Sequence, residues 1–198
     1  MTLILIRHGE SNANADGVLS GWQDVTLTEK GRKQAKEVGQ KITHLDHPTF
    51  FSSDLSRAVE TAQIAISIWS KSRSHRPKLR CLPELKERNM GDLQGIEKSL
   101  LRKEGRMKVL LTWADAPPGG ESFKALAGRV FPILDQLPNQ SVVFSHGGVI
   151  RMIVGLRTNQ PKEEWMRWDV PNATPISVDT PKAGWAEWYK SIEDKIED

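Results

Sequence analysis

Short apolar runs and helical stripes of apolar residues follow one another along this chain. Residues 3–6 and 141–144 form mainly apolar runs, which are typical of strands buried on both faces of a parallel sheet. Shorter runs at 49–52 and 79–82 predict two further strands. Between them, apolar residues recur three and four positions apart, which predicts amphipathic helices. The alternation of strands and helices therefore predicts an α/β protein with a mostly parallel sheet.

Local signals set the expected ends of the helices. Thr28 can cap one helix, and Ser53 or Asp54 can cap the next, because a short polar side chain can accept the free amides of a first turn. The clearest helical stripe begins near residue 121. Pro132 falls inside it, so we expect a kink or a local break there.

The remaining stretches predict loops and sheet edges. Residues 12–24 are rich in Asn, Asp, Gly and Ser, which predicts a loop that crosses one edge of the sheet. Residues 84–119 lack regular periodicity, so we expect loops and short helices folded over the same edge. The polar connector around His75 is expected to be solvated. Near the end of the chain, 170–178 and 184–188 are expected to be closing edge strands.

Two histidines follow two of the predicted strands. Arg7, His8 and Gly9 come directly after the first strand, and His146 with two glycines comes after the strand at 141–144. Open α/β sheets bind ligands just beyond the carboxyl ends of their strands, where these side chains would meet. A single His-Gly pair is more often part of a turn than of a catalytic site. Two such pairs at one sheet edge favour a functional site.

Arg57 lies in the predicted first turn of the second long helix. A cation at that position opposes the positive end of the helix dipole, so helix stabilisation does not explain it. An exposed arginine on a capped helix would be the ordinary interpretation if the segment stood alone. A bound anion between the helix end and His8 would explain it better.

These residues together carry a resemblance to a known family. His8 and His146, with Arg57 in the stretch Ser-Asp-Leu-Ser-Arg-Ala and Glu87 in Leu-Lys-Glu-Arg-Asn-Met-Gly, resemble the phosphoglycerate mutase-like branch of the histidine phosphatase superfamily. The resemblance covers most of the chain. It implies a three-layer α/β/α sandwich, and residues 1–198 as a single histidine phosphatase domain.

The resemblance also implies a chemistry and a set of roles. His8 matches the nucleophile that forms a phosphohistidine, which water then hydrolyses. A hydrogen bond to a backbone carbonyl, for which Gly9 is the candidate, would fix its tautomer. Arg7 and Arg57 match the phosphate-binding arginines, and a protonated His146 matches a third donor. Four more positions match residues used around the phosphate or the substrate: Asn14, Ser20, Gly21 and Gly147.

The proton donor for the leaving group is expected among two carboxylates. Glu87 occupies the acid position of the family pattern, whereas Glu84 lies in the same short segment and is either an alternative acid or a surface residue. No cofactor is implied, and no metal is either, because acidic residues do not cluster at Mg²⁺ or Zn²⁺ spacing and the arginines supply positive charge.

Two branches of the family compete for this chain. Residues 20–31 and 87–95 look close to a phosphoglycerate mutase. However, residues 111–115 contain no arginine where the mutases carry a basic pair, and Met90 stands where they place a tyrosine. Residues 117–122 resemble the shorter phosphatases, including the α-ribazole phosphatase and broad-specificity types. We therefore expect hydrolysis of small phosphomonoesters, with cofactor-dependent mutase activity as the alternative.

Composition and charge narrow the classes of function that remain for this protein. The chain has 198 residues and a net charge of +3, and residues 71–108 hold twelve Lys or Arg against five Asp or Glu. This basic segment either steers an anionic substrate or is a solvated surface. A non-catalytic phosphate-binding or nucleic-acid-binding protein is the least favoured class, because aromatic and basic residues do not interleave. The single cysteine, Cys81, is expected to be a small buried residue, and the lack of a long apolar run predicts a cytoplasmic protein without membrane contact.

Overall fold

Five strands form one sheet in the computed structural model of the protein, which describes residues 2–74 and 76–196. In spatial order, β3 is followed by β2, β4, β1 and β5. The first four strands are mutually parallel, and β5 is antiparallel to β1. The strands are β1 (Thr2–Arg7), β2 (Thr49–Ser52), β3 (Leu79–Cys81), β4 (Ser141–Ser145) and β5 (Pro175–Asp179). The predicted mostly parallel sheet is therefore confirmed, whereas His75 lies outside the described residues.

Helices connect the strands and cover the sheet. Three short turns of 3₁₀ helix lie in the segment 83–111, in agreement with the irregular structure expected there. The α-helices are α1 (Asn12–Ala15), α2 (Glu29–Lys41), α3 (Ser56–Trp69), α4 (Lys98–Lys103), α5 (Phe123–Leu134), α6 (Gly147–Arg157), α7 (Lys162–Trp165) and α8 (Trp185–Ile192). Within the described residues, no helix combines the length and apolar character that crossing a membrane would require.

Side chains alternate between the two faces of the sheet, so each strand contributes to two hydrophobic cores. Leu5 and Val143 pack with residues of α5, α6 and α8 on one face. Ile6 and Phe144 pack with residues of α2 and α3 on the other face. The sheet is thus the middle layer of an α/β/α sandwich, as the family resemblance implied.

Two predictions about helix ends need correction, although Thr28 caps α2 as expected. The N-cap of α3 is Leu55, without a side-chain hydrogen bond, rather than Ser53 or Asp54. The Ser53 hydroxyl instead accepts the Leu55 amide at 3.2 Å and also contacts a histidine of the site. Of the kink or local break expected at Pro132, the break is absent, because helix α5 continues to Leu134, which is buried in the core.

Of the two strand segments predicted near the end of the chain, one was partly wrong and the other was wrong. In the range 170–178, only the last residues form a strand, because β5 begins at Pro175. The range 184–188 is the start of helix α8. Trp185 and Tyr189 are buried one helical turn apart, and both oxygens of the Asp135 carboxylate accept the first amides of this helix. That capping group comes from a distant part of the chain, so no local signal marks the helix start.

Cys81 is exposed, which contradicts the expectation of a small buried residue. Its strand, β3, lies at the edge of the sheet, where the side chains are covered least. The loop expected at 12–24 begins instead with helix α1, where the Ser11 side chain accepts the backbone amide of Asn14.

Candidate active site

The two histidines that follow β1 and β4 lie side by side. These strands are adjacent and parallel, with Arg7 opposite Ser145, so the next residue of each strand emerges at the same edge of the sheet. The backbone amide of His8 donates to the carbonyl of Ser145 at 3.0 Å. The ring centroids of His8 and His146 are 5.2 Å apart, and both side chains are buried.

His8 is held in one tautomer by its two neighbours. Its Nδ1 atom lies 2.7 Å from the carbonyl oxygen of Gly9, which can only accept, so Nδ1 carries the proton. The predicted hydrogen bond to Gly9 is therefore present. Nε2 accepts a hydrogen bond from Nε of Arg57 at 3.2 Å. Burial lowers the pKa of His8 well below 6.5, and the charges of Arg57 and Arg7 lower it further. The ring is thus neutral, with an unprotonated Nε2.

Arg57 is buried at the start of α3 and is held by the loop that follows α1. Its two terminal nitrogens donate to the carbonyls of Gln23 and Gly21, at 2.9 and 2.8 Å. Gly21 has a φ of 51°, a left-handed conformation that favours glycine and turns its carbonyl toward the arginine. Burial lowers the pKa of Arg57 to about 10, so the side chain remains a cation near neutral pH.

His146 is completely buried, next to the ring of His8. Its Nε2 lies 2.8 Å from the hydroxyl of Ser53, and its Nδ1 has no hydrogen-bond partner among the described residues. Burial lowers the pKa of His146 well below 6.5, and the nearby charge of Arg57 contributes. This direction of the pKa favours a neutral His146, because burial and the nearby cations disfavour a further positive charge in this enclosed position. A neutral ring can still donate one hydrogen bond.

Arg7 completes the positive side of the site. One terminal nitrogen donates to the carboxylate of Asp169 at 3.2 Å and to the carbonyl of Val170. Its Nε atom is buried without a hydrogen-bond partner among the described residues. Arg7 therefore keeps a free donor at the same sheet edge as His8.

The structure brings Glu87 to the site but not Glu84. Glu87 lines the cavity beside His8, and its two carboxylate oxygens accept the backbone amides of Arg88 at 2.8 Å and Gly148 at 3.0 Å. A Cβ at Gly148 would lie 2.2 Å from this carboxylate, so glycine permits the contact. Glu84 is not among the residues that line the cavity, and its carbonyl accepts from Arg129.

The remaining predicted residues line the same cavity, which has a volume of about 540 Å³. The Asn14 side chain caps α1 by accepting the Ser11 amide at 3.3 Å, and Asn172 Nδ2 lies 3.4 Å from its oxygen. His146 differs from the other predicted residues because it is completely buried and is not among the lining residues, although its ring centroid lies 5.2 Å from that of His8. The lining residues that were predicted are Arg7, His8, Arg57, Glu87, Asn14, Ser20, Gly21 and Gly147.

Sequence analysis missed most of the positive charge in this cavity. Seven Lys or Arg line it against two acidic residues, Glu87 and Asp169. Arg88 is buried with its guanidinium carbon 4.2 Å from the Phe123 ring centroid, and its guanidinium nitrogens have no hydrogen-bond partner among the described residues. The signals available were its position next to Glu87 and its place in the basic segment 71–108. The other missed cations are Lys98, Arg102, Arg151 and Arg167.

The chemistry open to this arrangement follows from its charges. His8, with its unprotonated imidazole nitrogen, and the carboxylate of Glu87 line the same cavity, which is rich in arginine. Such a set suits attack on the phosphorus of a phosphate ester, because cations stabilise the oxygens of the transferred group. Within the described part of the chain, no group of three or more His, Cys, Asp or Glu residues could hold a metal ion.

Comparison with known proteins shows the superfamily to which this chain belongs. The model of the histidine phosphatase superfamily (branch 1) matches residues 3–189, and the chain belongs to this superfamily. A 2,3-bisphosphoglycerate-dependent phosphoglycerate mutase from Mesorhizobium japonicum is 33% identical over 190 residues, which cover 88% of this chain and 90% of the mutase.

Solved structures share the fold. A mycobacterial glucosyl-3-phosphoglycerate phosphatase, solved with VO3, is 25% identical with a TM-score of 0.78, over 92% of each chain. An Escherichia coli protein proposed to be an alpha-ribazole-5'-P phosphatase is 26% identical with a TM-score of 0.75, over 92% of this chain and 91% of that chain. The superfamily thus offers both mutases and phosphatases as models for this protein.

Proposed function

We propose that this protein is a phosphatase that hydrolyses phosphomonoesters through a phosphohistidine on His8. The observation that carries the proposal is the tautomer of His8, with its proton on Nδ1 and the lone pair of Nε2 directed at Arg57. A neutral imidazole in this state needs no base to become a nucleophile. We further propose that the substrate is a phosphorylated metabolite and that the protein acts in the cytoplasm.

In the first step, Nε2 of His8 attacks phosphorus, the new N–P bond forms, and the bond from phosphorus to the leaving oxygen breaks. Arg7 and Arg57 hold the phosphoryl oxygens, so Arg57 exchanges its bond to Nε2 for one to the phosphate. A protonated Glu87 gives its proton to the leaving alcohol. In the second step, water attacks the phosphohistidine, Glu87 takes the proton of that water, and phosphate leaves His8 neutral.

Ser53 and His146 contribute a neutral donor in this scheme. We assign the hydroxyl proton of Ser53 to Nε2 of His146, 2.8 Å away, while the Ser53 oxygen accepts the Leu55 amide at 3.2 Å. The single proton of the neutral imidazole then resides on Nδ1, which has no protein partner among the described residues. This nitrogen would donate to a phosphoryl oxygen without adding a second imidazolium to the site.

Mutase activity is the second candidate, and one observation favours it. The relative from Mesorhizobium japonicum is a phosphoglycerate mutase, and it aligns over most of both chains. The lack of arginine at 111–115 remains a difference from the mutase pattern, although Lys98 and Arg102 on α4 place other cations in the cavity. The two solved phosphatases support hydrolysis. A purely nucleic-acid-binding role is less favoured, because these cations line a concave cavity rather than an open surface.

The test of this proposal measures where the phosphate group of the substrate goes. Substrate consumption, inorganic phosphate and interconversion of 3-phosphoglycerate with 2-phosphoglycerate are measured with and without 2,3-bisphosphoglycerate. Stoichiometric phosphate release supports the phosphatase, and efficient interconversion with little free phosphate establishes the mutase instead. Rapid quenching with labelled substrate should trap an acid-labile phosphoenzyme. This species should be absent in His8→Asn and retained in a control, His44→Asn, which changes an exposed histidine.

A further inference from the structure

Arg129 on α5 binds the segment of main chain that carries Glu87. It does not line the cavity, but its two terminal nitrogens donate to three backbone carbonyls of that segment. The acceptors are the carbonyls of Glu84 at 2.5 Å, Lys86 at 3.0 Å and Glu87 itself at 2.9 Å. Because the guanidinium is a rigid, planar group, these bonds fix the course of the main chain at Glu87.

Glu121 pairs with Arg129 and binds the same segment beyond Glu87. Its two carboxylate oxygens lie 2.7 Å from Nε and 2.8 Å from one terminal nitrogen of Arg129, which is the bidentate geometry of such pairs. The Oε2 atom of Glu121 also accepts the backbone amide of Asn89 at 3.0 Å, and the amide of Glu121 donates to the Asn89 carbonyl at 2.9 Å. The pair therefore holds the main chain on both sides of Glu87 without adding a net charge beside it.

A further contact connects Glu87 to the loop that holds Arg57. The indole N–H of Trp22 donates to the carbonyl of Glu87 at 2.5 Å. Trp22 lies between Gly21 and Gln23, whose carbonyls accept from Arg57. The main chain of Glu87 is thus fixed relative to the loop around this arginine.

The position of the main chain decides where the Glu87 carboxyl group lies. Both of its oxygens accept backbone amides, those of Arg88 and Gly148, so a displacement of the segment would break these bonds. A general acid must come within about 2.6–3.2 Å of the atom that it protonates. The contacts of Arg129 therefore bear directly on the role proposed for Glu87.

We propose that Arg129, paired with Glu121, is a positioning residue that holds the Glu87 carboxyl group within reach of the leaving oxygen. The inference rests on the proposed function, because it assigns the support of the acid in that reaction. Since Arg129 does not line the cavity, it acts through Glu87. Its loss should impair the steps that need the Glu87 proton and spare those that do not.

The test compares two substrates in Arg129→Lys, a change that keeps the charge but removes the planar fork. Single-turnover release of the alcohol measures the first step. With ethyl phosphate, whose leaving group needs a proton, the variant should be roughly 10²-fold slower, as expected for a displacement of about 1 Å. With p-nitrophenyl phosphate, whose leaving group departs unaided, the rate should be nearly unchanged. Equal losses on both substrates, or no loss on either, would overturn the inference.

Glu121→Gln is a milder change to the same pair. It should show the same contrast between the two substrates to a smaller degree, because the neutral amide binds the Arg129 guanidinium less strongly. This variant provides the test if urea unfolding shows that Arg129→Lys is not folded under the assay conditions. Equal losses of Glu121→Gln on both substrates would likewise overturn the inference.

A double-mutant cycle shows whether Arg129 acts through Glu87. On ethyl phosphate, Glu87→Gln alone and Glu87→Gln combined with Arg129→Lys should be equally slow, because the acid is already absent. Additive losses would overturn the inference. Arg32→Lys is the matched control, since Arg32 binds two carboxylates at 2.7 Å outside the Glu87 segment, and it should leave both rates unchanged.

Hydrogen exchange at Gly148 keeps this inference distinct from the proposed hydrolysis. The Gly148 amide lies in the first turn of α6, where it has no acceptor within the helix, and it donates to Glu87 instead. Its exchange should be roughly tenfold faster in Arg129→Lys, as for the loss of one hydrogen bond, and unchanged in Arg32→Lys. Faster exchange, without hydrolysis of any phosphomonoester by the wild-type protein, would uphold the positioning of Glu87 and reject the phosphatase. Hydrolysis by the wild-type protein, with unchanged exchange in Arg129→Lys, would do the reverse.

Discussion

Nε of Arg57 donates a hydrogen bond to Nε2 of His8 across 3.2 Å, opposite the ring nitrogen that binds Gly9. The guanidinium thus keeps the proposed nucleophilic nitrogen unprotonated and oriented, and it stands where the charge of a phosphate would be stabilised. One contact sets both the protonation state of the imidazole and the position of the cation.

The first prediction concerns this pair. In an NMR titration, His8 should remain neutral to well below pH 6.5. The variant Arg57→Gln should raise the titration midpoint of His8, because the charge of Arg57 is the second cause of the lowered pKa after burial. The same variant should lose about 10²–10³ in kcat, since a donor to the phosphoryl group is removed. Arg76→Gln, at an exposed arginine, serves as the control. An unchanged His8 midpoint in Arg57→Gln would contradict the electrostatic role.

The second prediction is a steep loss of stability in weak acid. His8 and His146 both have a pKa below 6.5 in the folded protein, so the unfolded chain binds two more protons as the pH falls below that value. The two neutral histidines therefore make their full contribution to the free energy of unfolding above pH 6.5. The free energy of unfolding should fall toward about 2.7 kcal/mol per pH unit below it, at about 1.36 kcal/mol for each histidine.

Urea unfolding at a series of pH values measures this slope. His146→Asn should roughly halve it, because one of the two groups no longer titrates. His44→Asn should leave the slope unchanged, since that side chain is exposed. A wild-type slope near zero between about pH 5 and 6 would show that the histidines are protonated in the folded state.

The third prediction concerns Ser53. Ser53→Ala removes the hydroxyl that contacts Nε2 of His146, so the ring loses the partner that fixes its tautomer. We expect a fall in kcat with little change in KM, and a loss of about 1–3 kcal/mol in the free energy of unfolding from unpaired buried groups. Ser53→Thr, which keeps the hydroxyl, should restore part of kcat. ¹⁵N NMR of His146 should show a changed tautomer in Ser53→Ala, and an unaltered spectrum would assign Ser53 a purely structural role.

The fourth prediction separates the two candidate acids. Glu87→Gln should be much slower on alkyl phosphates, whose leaving group needs a proton, and nearly normal on p-nitrophenyl phosphate, whose leaving group departs unaided. Glu84→Gln should show no such contrast, since this residue does not line the cavity. Equal losses of Glu87→Gln on both substrates would remove Glu87 from the role of acid.

The fifth prediction is that activity survives exhaustive treatment with EDTA. Arg7, Arg57 and the other cations of the cavity would supply the positive charge that a metal supplies in many phosphatases. Phosphate release is compared before and after chelation, with a known Mg²⁺-dependent phosphatase as the control. Recovery of lost activity by Mg²⁺ or Zn²⁺ would refute this prediction.

Local patterns were sufficient to predict the framework of the site. Buried strands have apolar runs that need no tertiary information to recognise, and His8 and His146 directly follow two such strands. Their meeting at one sheet edge follows from the geometry of parallel sheets. Arg57 could be placed near them because its position conflicts with the dipole of its own helix.

Features that depend on packing between distant segments could not be predicted. The start of α8 is capped by Asp135, about fifty residues away, and the exposure of Cys81 depends on the edge position of β3. Lys98 and Arg102 resemble ordinary surface residues until α4 is placed beside the cavity. The neutral state of His146 arises from complete burial, which an isolated sequence does not reveal.

The position of β4 in the sheet determines when the site can assemble. β1 pairs with β4 and β5, both of which come from the last third of the chain, and β4 also joins β1 to β2. A ribosome that has made the first 140 residues has therefore produced His8 and Arg57 without the strand that unites them. Such late, long-range pairing slows folding and leaves apolar strands exposed during synthesis. The nascent chain thus carries His8 and Arg57 through most of its synthesis before the site that unites them can form.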